Sequence, residues 1–496
     1  MIGTSDYLSL HARVQPSAPA IHDLTTGQRW TYQSFDRAVA QYAALLRKHG
    51  IADGDRIAVL SKNRADLIFL HLSCARIGAI YVPLNWRLSP AEIEKLIEDA
   101  EPRMLLGDKM LAQAQLDGVS LDEFALQSHG CDPHPYEPID PEAISLILYT
   151  SGTSGRPKGV LLSERNIWET ALNFSILGRV THGSAVLCDS PMFHIIGLVT
   201  TVRSALMRGG KFIVSDGFVP ERTLARLADH TLGVTHYFCV PQMAAAMRAD
   251  PTFDAHKLRR LTAIFSGGAP HAADAVRAWA NEGIAMADGF GMSEAGTVSC
   301  MPLDLERIAS HGGSVGITPP GLQVRILNEE GNDCGPGEPG EVQLKGPSVT
   351  SGYWRRPEET QLAFSEDGWL RTGDIGRIDP DGFMWIIDRK KEMFISGGEN
   401  VYPAEIEGVL AAYPYIAECA VVGVGDERWG EVGHLVVVPL PNQDLARSHI
   451  VEFLESRLAR YKIPKHVSVM ERLPRNAAGK IAKSELRSMI TRIRRL

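Results

Sequence analysis

The chain has 496 residues, of which 44% are hydrophobic and 22% are charged. These proportions are typical of globular proteins and argue against disorder, collagen-like repeats and coiled coil. The 51 basic and 59 acidic residues give a net charge of −8, which argues against nucleic acid as a partner but allows a local pocket for an anion. A chain of this length is expected to form more than one domain.

The seven cysteines form no Cys-x-x-Cys pair, and their number is odd. A disulfide framework or a structural zinc site is therefore not expected, and a reducing compartment fits best. The first residues, MIGTSDYLSLHARV, lack a basic stretch followed by an apolar run, so no signal peptide is predicted. No segment reaches the roughly 20 apolar residues that cross a bilayer. The sequence is interpreted as that of a cytoplasmic protein without an integral membrane segment, and an oligomer is possible.

Short apolar runs alternate with longer amphipathic ones between Arg56 and Asp288. Each pair is interpreted as a buried strand and the helix that follows it. The predicted pairs are Arg56–Leu60 with Leu67–Ala79, Ile144–Tyr149 with Glu164–Phe174, Ala185–Asp189 with Ile195–Met207, and Ala263–Ser266 with Ala272–Asn281. This alternation predicts mostly parallel sheets covered by helices. In such sheets ligands bind in the loops outside the carboxyl ends of the strands, so the chemistry is expected there.

The pattern changes after Gly312. Val324–Leu327 and Glu341–Lys345 alternate apolar and polar residues, which predicts antiparallel strands. The C-terminal part mixes both kinds of element. Its predicted elements are a helix near Ala404–Ala412, strands near Cys419–Val424 and Leu435–Val438, and a helix near Ser448–Leu458. The predicted fold class is therefore α/β, with a large N-terminal domain of several subdomains, in which helix-covered mostly parallel sheets are joined by a β-rich part, and a small α+β C-terminal domain.

The strongest local signal is the segment TSGTSGRPKG at residues 150–159, directly after a predicted strand. Its glycines let backbone N–H groups approach an anion closely, and its hydroxyls and lysine add donors and positive charge, as a polyphosphate requires. The segment is not a Walker loop, because no Gly-Lys-Ser/Thr follows at the required spacing. Gly/Ser/Thr loops are common, so a plain surface turn stays an alternative for this segment taken alone.

This segment resembles the phosphate loop of the adenylate-forming superfamily, which includes acyl-CoA synthetases, adenylation domains and firefly luciferases. Further pieces of the family pattern follow in order: PMFH at 191–194, SGGAP at 266–270, DGFGMSEAG at 288–296, RTGD at 371–374, DRKKEMFISGGENVYPAEIE at 388–407 and PRNAAGK at 474–480. The resemblance covers nearly the whole chain and implies an AMP-forming acid–CoA ligase. In that reaction a carboxylic acid and ATP give an acyl-adenylate and pyrophosphate, and the thiol of CoA then displaces AMP.

The resemblance also implies roles for single residues around ATP and Mg²⁺. Glu294 and the Thr150 hydroxyl are implied to bind Mg²⁺, a hard cation that prefers oxygen ligands. Lys480 is implied to contact the carboxylate and the α-phosphate during adenylation, and the implied catalytic residues are Lys480, Glu294 and His194. The implied ATP- and AMP-binding residues are Thr150, Ser151, Gly152, Thr153, Ser154, Gly155, Lys158, Gly268, Ala269, Asp288, Gly289, Phe290, Ser293, Asp374, Arg389 and Lys480.

Two nucleotide-contact positions depart from the family pattern, which usually has Tyr and Thr where this chain has Phe290 and Ser293. Phe290 keeps a stacking face for adenine but lacks the hydroxyl, and Ser293 keeps a donor for the α-phosphate. Asp374 suits a ribose diol because a carboxylate accepts from two hydroxyls, and Arg389 resembles the second ribose contact. Taken alone, each residue also has a structural explanation; Glu294, for example, could offset the dipole at a helix start.

For the thioester step, the resemblance implies that a small domain rotates about a hinge at Lys391. It therefore implies a large domain of residues 1–390 and a small mobile domain of residues 391–496. The arm of CoA would then pass the loop of Ser396, Gly397 and Gly398, where the glycines leave room. A plain tight turn is an alternative explanation for the two glycines.

The acyl pocket is implied to be lined by His194, Ile196, Thr200, Phe238 and Ala269. A mostly apolar lining predicts a hydrophobic tail, so the acid is expected to be a fatty or an aromatic carboxylic acid. A buried core histidine is the alternative for His194, and Arg203 keeps a dicarboxylic acid possible.

The sequence leaves three other functions open. The enzyme could load an acyl group onto a separate carrier protein instead of CoA. The chain could be a non-catalytic nucleotide-binding regulator, although the complete set Thr150, Glu294, Asp374, Arg389 and Lys480 argues against this. Luciferase-like oxidation is not excluded by the sequence.

Overall fold

The computed structural model describes residues 6–134, 140–150, 157–268, 271–389, 392–396, 399–426, 429–441, 443, 445–455, 457–458, 460–476 and 479–493. The chain divides into two compact units. The large unit contains Met1–His271, Ala275–Val324 and Leu344–Leu370, and the small unit contains Ala272–Asp274, Arg325–Gln343 and Arg371–Leu496.

The strands are β1 (Pro19–Asp23), β2 (Arg29–Thr31), β3 (Arg56–Leu60), β4 (Ile80–Pro83), β5 (Met104–Gly107), β6 (Val119–Ser120), β7 (Ile144–Thr150), β8 (Lys158–Ser163), β9 (Ala185–Cys188), β10 (Lys211–Val214), β11 (His236–Cys239), β12 (Ala263–Ser266), β13 (Met286–Met292), β14 (Gly296–Cys300), β15 (Gln323–Leu327), β16 (Gly340–Lys345), β17 (Leu370–Ile378), β18 (Met384–Arg389), β19 (Phe394–Ser396), β20 (Glu399–Val401), β21 (Ile416–Asp426), β22 (Gly430–Pro439) and β23 (His466–Val469).

The α-helices are α1 (Tyr7–Val14), α2 (Tyr32–Lys48), α3 (Ala65–Arg76), α4 (Pro90–Ala100), α5 (Met110–Gln113), α6 (Leu121–Ser128), α7 (Glu164–Leu177), α8 (Ser204–Arg208), α9 (Pro220–Ala228), α10 (Pro241–Ala249), α11 (Ala255–Leu258), α12 (Ala273–Asn281), α13 (Leu305–Ser310), α14 (Pro357–Ala363), α15 (Pro403–Leu410), α16 (Arg447–Glu455) and α17 (Lys483–Ile493). A π-helix covers Ile196–Arg203, and one 3-10 turn covers Arg460–Lys462.

The large unit contains two sheets of mostly parallel strands. The first has the order β6-β5-β3-β4-β7-β8, and only its β7/β8 pair is antiparallel. The second has the order β14-β13-β12-β11-β9-β10-β1-β2, with antiparallel pairs at its two ends. The predicted strand–helix alternation is therefore confirmed, and it aligns the carboxyl ends of neighbouring strands within each sheet.

Helices cover these sheets because their apolar residues recur at helical spacing. In α2, Phe35, Val39 and Leu46 are buried, while Thr31 caps the helix by accepting a hydrogen bond from the backbone N–H of Ser34. In α3 almost every side chain is buried, and the start of the helix is held by the carboxylate of Asp23, which accepts from the backbone N–H of Ala65 at 2.8 Å. The buried apolar residues of the large unit form more than one cluster, and the loops at the strand ends lie outside these clusters, where they can carry polar chemistry.

The small unit is built on two sheets. Most residues of the four-stranded sheet β15-β16-β17-β18 belong to it. The second sheet has the order β20-β19-β22-β21, with β23 parallel to β22. Helix α15 packs on β21, and Phe394, Ile406 and Leu435 belong to the buried core there. The unit is α+β, as the mixed sequence pattern predicts. Within the described residues of the whole chain, no helix is long and apolar enough to cross a lipid bilayer.

Candidate active site

Three predicted segments of the large unit meet where β11 and β12 end beside Asp288 of β13. The strands are parallel neighbours, and their register pairs Cys239 with Ser266 and Ser266 with Asp288. Gly267 follows β12 at this edge. A Cβ on it would lie 3.0 Å from the carbonyl oxygen of Gly289 and 3.6 Å from Cζ of Phe238. Because Gly267 has no side chain, both Gly289 of the predicted adenine segment and the predicted acyl-pocket residue Phe238 can lie close to it.

Asp288 and Phe290, which the resemblance assigns to the nucleotide, lie on β13, and Gly268 follows β12 with a φ of +82° that favours glycine. The Asp288 side chain is buried, and its Oδ1 lies 2.8 Å from Nδ1 of His271. Phe290 is half-buried and pairs with Ser299 of β14. His271 is absent from the sequence-based set of site residues, although it follows the SGGAP motif directly.

Ser293 and Glu294 lie in the tight turn that joins β13 to β14. Met292 pairs with Gly296, and the backbone N–H of Ala295 donates to the carbonyl oxygen of Met292 at 3.2 Å. Glu294 is therefore not at a helix start, which removes the helix-dipole explanation for its carboxylate. Both side chains are half-buried, so they are fixed by the turn and yet accessible.

Tyr353 links the predicted phosphate and metal residues. Its hydroxyl donates to Oε1 of Glu294 at 3.0 Å, and the ammonium of Lys158 lies 4.9 Å from its ring centroid. The backbone N–H of Thr350 donates to the carbonyl oxygen of Glu294 at 2.7 Å. Thr150 pairs with Lys158 across the β7/β8 hairpin. Tyr353 and the hairpin register thus bring Thr150, Lys158 and Glu294 together. No sequence signal singles out Tyr353, because its contact with Glu294 spans 59 positions.

The Thr150 hydroxyl and the Glu294 carboxylate are oxygen ligands of the kind that Mg²⁺ prefers. Among the described residues, no group of three His, Cys, Asp or Glu side chains could hold a metal ion. Mg²⁺ is usually held by one or two carboxylates together with substrate phosphates and waters. The residues present therefore fit a magnesium ion that arrives with a triphosphate.

Several predicted residues cannot be placed. Lying outside the described residues are Ser151, Gly152, Thr153, Ser154, Gly155, Ala269, Lys391, Gly397 and Gly398. For Arg389 only the backbone is described.

In the small unit, the two predicted ribose residues are cross-strand neighbours. Asp374 of β17 pairs directly with Arg389 of β18. The Asp374 side chain is 3% exposed, and its backbone N–H donates to the Thr372 hydroxyl at 3.0 Å.

Lys480 lies in a tight loop of the small unit. Its backbone N–H donates to Oδ1 of Asn476 at 3.0 Å, and the Asn476 N–H donates to the Lys480 carbonyl oxygen at 2.8 Å. Gly479 has a φ of +79°, which favours glycine. Arg475 donates to the Gly479 carbonyl oxygen at 2.7 Å. The loop is held by its own backbone and Arg475, while the Lys480 side chain is exposed.

Ser396, the one predicted CoA-loop residue that is described, ends β19 and is buried. It pairs with Glu399 at the start of β20. The predicted loop therefore joins two antiparallel strands.

Of the predicted acyl-pocket residues, His194 precedes the helix expected here, and Ile196 and Thr200 lie in its first part, which is a helix of an unusual kind. The segment Ile196–Arg203 is a π-helix, and the hydroxyl of Thr201 donates to the carbonyl oxygen of Ile196 at 2.9 Å. A Cβ on Gly197 would lie 2.2 Å from the carbonyl oxygen of Pro191. π-Helical turns are rare in proteins, and those that occur are often found at functional sites.

Phe238, another predicted pocket residue, lies among aromatic rings, and Arg203 is the last residue of the π-helix. The Phe238 ring lies 6.1 Å from that of Phe265 and 6.2 Å from that of Phe174. Arg203 forms a buried ion pair with Glu164, and its guanidinium lies 3.3 Å from Nε2 of His71. Burial lowers the pKa of His71 well below its usual range, and the neighbouring Arg203 charge adds to this effect. Both effects favour the neutral imidazole.

Comparison with known proteins gives two family matches. Residues 8–354 match the family described as AMP-binding enzyme, and residues 405–480 match its C-terminal domain. The chain is 36% identical to a feruloyl-CoA synthase of Amycolatopsis, over 96% of each chain. It is 35% identical to an indoleacetate–CoA ligase of Aromatoleum aromaticum, over 98% of each chain. It is 34% identical to a long-chain-fatty-acid–CoA ligase of Mycobacterium tuberculosis, over 97% of each chain.

Two solved structures are also similar along nearly the whole chain. ATP-bound MatB from Rhodopseudomonas palustris has a TM-score of 0.89 at 30% identity and covers 97% of this chain and 98% of its own. An o-succinylbenzoate CoA synthetase from Bacillus subtilis, in complex with ATP and a magnesium ion, has a TM-score of 0.86 at 28% identity, with coverage of 97% and 98%.

Proposed function

The chain belongs to the family of AMP-binding enzymes and is an AMP-forming acid–CoA ligase of that family, and from this premise we propose that its acid is a hydrophobic monocarboxylic acid, with an aromatic acid preferred over a fatty acid. The observation that carries the proposal is the packing of Phe238. Its ring lies among aromatic rings and against Gly267, beside the predicted nucleotide segment. A phenyl ring held in the pocket in this way favours an aromatic tail through stacked or edge-to-face contacts.

The pairing of Arg203 argues against a second carboxylate on the substrate. Its guanidinium and the Glu164 carboxylate are each only 12% exposed, and Ser145 donates to the other oxygen of Glu164 at 2.7 Å. A buried ion pair is costly to separate, because each partner would be left as an uncompensated charge. Arg203 is thus committed within the protein and does not supply a cation for a dicarboxylic acid.

We assign the two half-reactions to the predicted residues. In adenylation the acid carboxylate attacks the α-phosphorus of ATP and pyrophosphate leaves. Lys158, Thr150 and the phosphate loop hold the phosphates, Glu294 and Thr150 hold Mg²⁺, and Lys480 stabilises the charge that develops at the α-phosphate. Mg²⁺ supplies neutralising charge at the phosphates. In the second half-reaction the sulfur of CoA attacks the acyl carbon, AMP leaves, and the thiol proton goes to solvent.

A panel of acids tests the proposal. With ATP, Mg²⁺ and CoA, cinnamate or indole-3-acetate should give a kcat/KM about tenfold or more above that for decanoate, since pocket contacts discriminate by about 10–200-fold. A dicarboxylate such as 2-succinylbenzoate should be poorer still. The products are measured as AMP and acyl-CoA by chromatography. A higher kcat/KM for decanoate would overturn the aromatic preference, and acylation of a holo-carrier protein without acylation of CoA would point to the carrier-loading alternative.

The hinge assignment has its own test. Replacing Lys391 with proline should slow thioester formation from a supplied acyl-adenylate by about tenfold or more, because proline fixes φ and restricts the residue before it. Adenylation, measured as ATP–pyrophosphate exchange, should stay within about threefold, because the groups around the α-phosphate are intact. Lys391→Ala is the matched control and should affect neither step. Normal thioester formation in Lys391→Pro would show that the hinge is elsewhere.

A further inference from the structure

We propose that His271 is a positioning residue that fixes the carboxylate of Asp288 for the 6-amino group of adenine, and that this pair sets selectivity for ATP over GTP. The inference rests on the proposed function, since it concerns the base of the nucleotide that the enzyme consumes. The resemblance assigns Asp288, Gly289 and Phe290 to the nucleotide. The inference adds His271 to this set and gives the set a role in selecting the base.

The first support is the geometry of the pair. Nδ1 of His271 lies 2.8 Å from Oδ1 of Asp288, and the two side chains are only 6% and 8% exposed. A carboxylate only accepts, so Nδ1 is the donor. One oxygen of Asp288 is occupied by this bond, and no described residue donates a hydrogen bond to Oδ2. The imidazole thus fixes the plane of the carboxylate and leaves one acceptor for a ligand.

The second support is the set of groups around Asp288. Cys239 and Cys300 are buried beside it; burial first, and then the Asp288 charge, raise the pKa of each thiol. Both thiols therefore stay protonated and are weak donors. Ser266, the register partner of Asp288, is 1% exposed and its hydroxyl has no hydrogen-bond partner among the described residues. Unsatisfied polar atoms at a strand end indicate a ligand that completes them.

The chemistry of the base then decides the selectivity. The 6-amino group of adenine donates, and a carboxylate oxygen accepts from it. Guanine carries a carbonyl oxygen at the same position, which would face the carboxylate oxygen without a shared hydrogen. A site whose buried polar group is left unpaired by the wrong ligand discriminates strongly. A carboxylate that rotates freely would lose part of this discrimination, which is why His271 matters.

The test uses three variants of the full chain. His271→Ala removes the donor, His271→Asn places an amide nitrogen near the position of Nδ1, and His271→Gln places it nearer the position of Nε2. Binding of ATP and of GTP with Mg²⁺ is measured by calorimetry without any acid, and ATP–pyrophosphate exchange with an accepted acid gives KM and kcat. Thermal melting reports whether each variant is folded.

His271→Ala should raise the Kd and the KM for ATP by about tenfold, which corresponds to the lower end of what a hydrogen bond to a charged group contributes. Its kcat should stay within about threefold, because the groups at the α-phosphorus are unchanged. The Kd for GTP should change by less than about twofold. His271→Asn should restore ATP binding, and His271→Gln should not.

Three results would overturn the inference: an unchanged Kd for ATP in His271→Ala, equal weakening of ATP and GTP, or equal rescue by Asn and Gln. If His271→Ala is unfolded, the contrast between the two amide variants decides. If the wild-type chain binds ATP but gives no exchange with any acid, the proposed function fails, while the Kd values still test the role of His271.

Discussion

Replacing Lys480 with alanine should slow ATP–pyrophosphate exchange by about 10²–10³-fold, the typical cost of removing one preorganised donor from a developing anion. Thioester formation from a supplied acyl-adenylate should stay within about threefold, because the α-phosphate bond is already formed in that substrate. The loop geometry supports a local effect. Asn476 and Arg475 hold the loop through its backbone, and the Lys480 side chain is exposed. The two rates are measured separately by exchange of labelled pyrophosphate and by release of acyl-CoA.

Two controls separate charge from loop structure. Lys480→Arg keeps the charge but replaces a compact ammonium by a larger, planar guanidinium. This variant should therefore recover only part of the exchange rate that Lys480→Ala loses. Lys257→Ala removes an exposed lysine from α11 and should leave both rates unchanged. Equal losses in both half-reactions of Lys480→Ala would refute the assignment of Lys480 to adenylation alone.

Much of the fold could be predicted because its signals are local. The strands β3 and β12 coincide with the predicted Arg56–Leu60 and Ala263–Ser266, since short apolar runs bounded by polar residues have few other solutions in a parallel sheet. The order of strands within each sheet could not be predicted from such runs. It depends on contacts between segments far apart in the chain, such as β1 beside β10.

The helix at the acyl-pocket residues shows where a local pattern is insufficient. The apolar run Ile195–Met207 predicts a helix, and a helix is present, but its first part is π-helical. The apolar periodicity does not distinguish a π-helix from an α-helix, and it does not show close backbone contacts of the helix. Gly197 lies so close to the carbonyl oxygen of Pro191 that only glycine fits, and this contact depends on how the preceding loop is folded.

The candidate site likewise contains some residues that short motifs identify and others that they do not. Thr150, Asp288, Glu294 and Asp374 could be named from short motifs, because residues close in sequence form each motif. Tyr353 and His271 could not, although each contacts one of these residues in the structure. Their roles depend on pairings across 59 and 17 positions, which no single motif records.

Arg203 shows that the sequence alone does not give the charge of a pocket. In the sequence, an arginine at this position is compatible with a second carboxylate on the substrate. In the structure the Arg203 guanidinium forms an ion pair with the carboxylate of Glu164. Glu164 is the first residue of α7 and lies 39 positions from Arg203 in the sequence. The charge of a pocket depends on which ions are already paired, and pairing is a property of the folded chain.

Replacing Glu294 with glutamine should lower kcat/KM for adenylation by about 10²-fold or more, because the amide keeps the shape but loses the charge that faces Mg²⁺ and the phosphates. The Mg²⁺ concentration that gives half-maximal exchange should rise, and calorimetry should show that ATP binds with less dependence on Mg²⁺. The turn between β13 and β14 should be unchanged, since it is held by backbone hydrogen bonds.

Tyr353→Phe is the matched variant for this prediction. It removes the hydroxyl that donates to Glu294 and keeps the ring beside Lys158, so the carboxylate retains its charge but loses its orientation. The loss should be about tenfold, smaller than in Glu294→Gln, as for other outer partners of metal ligands. Glu306→Gln, on the exposed side of α13, should behave as wild type. An unaltered Mg²⁺ dependence in Glu294→Gln would show that this carboxylate does not hold the metal, and Tyr353 would then have only a structural role.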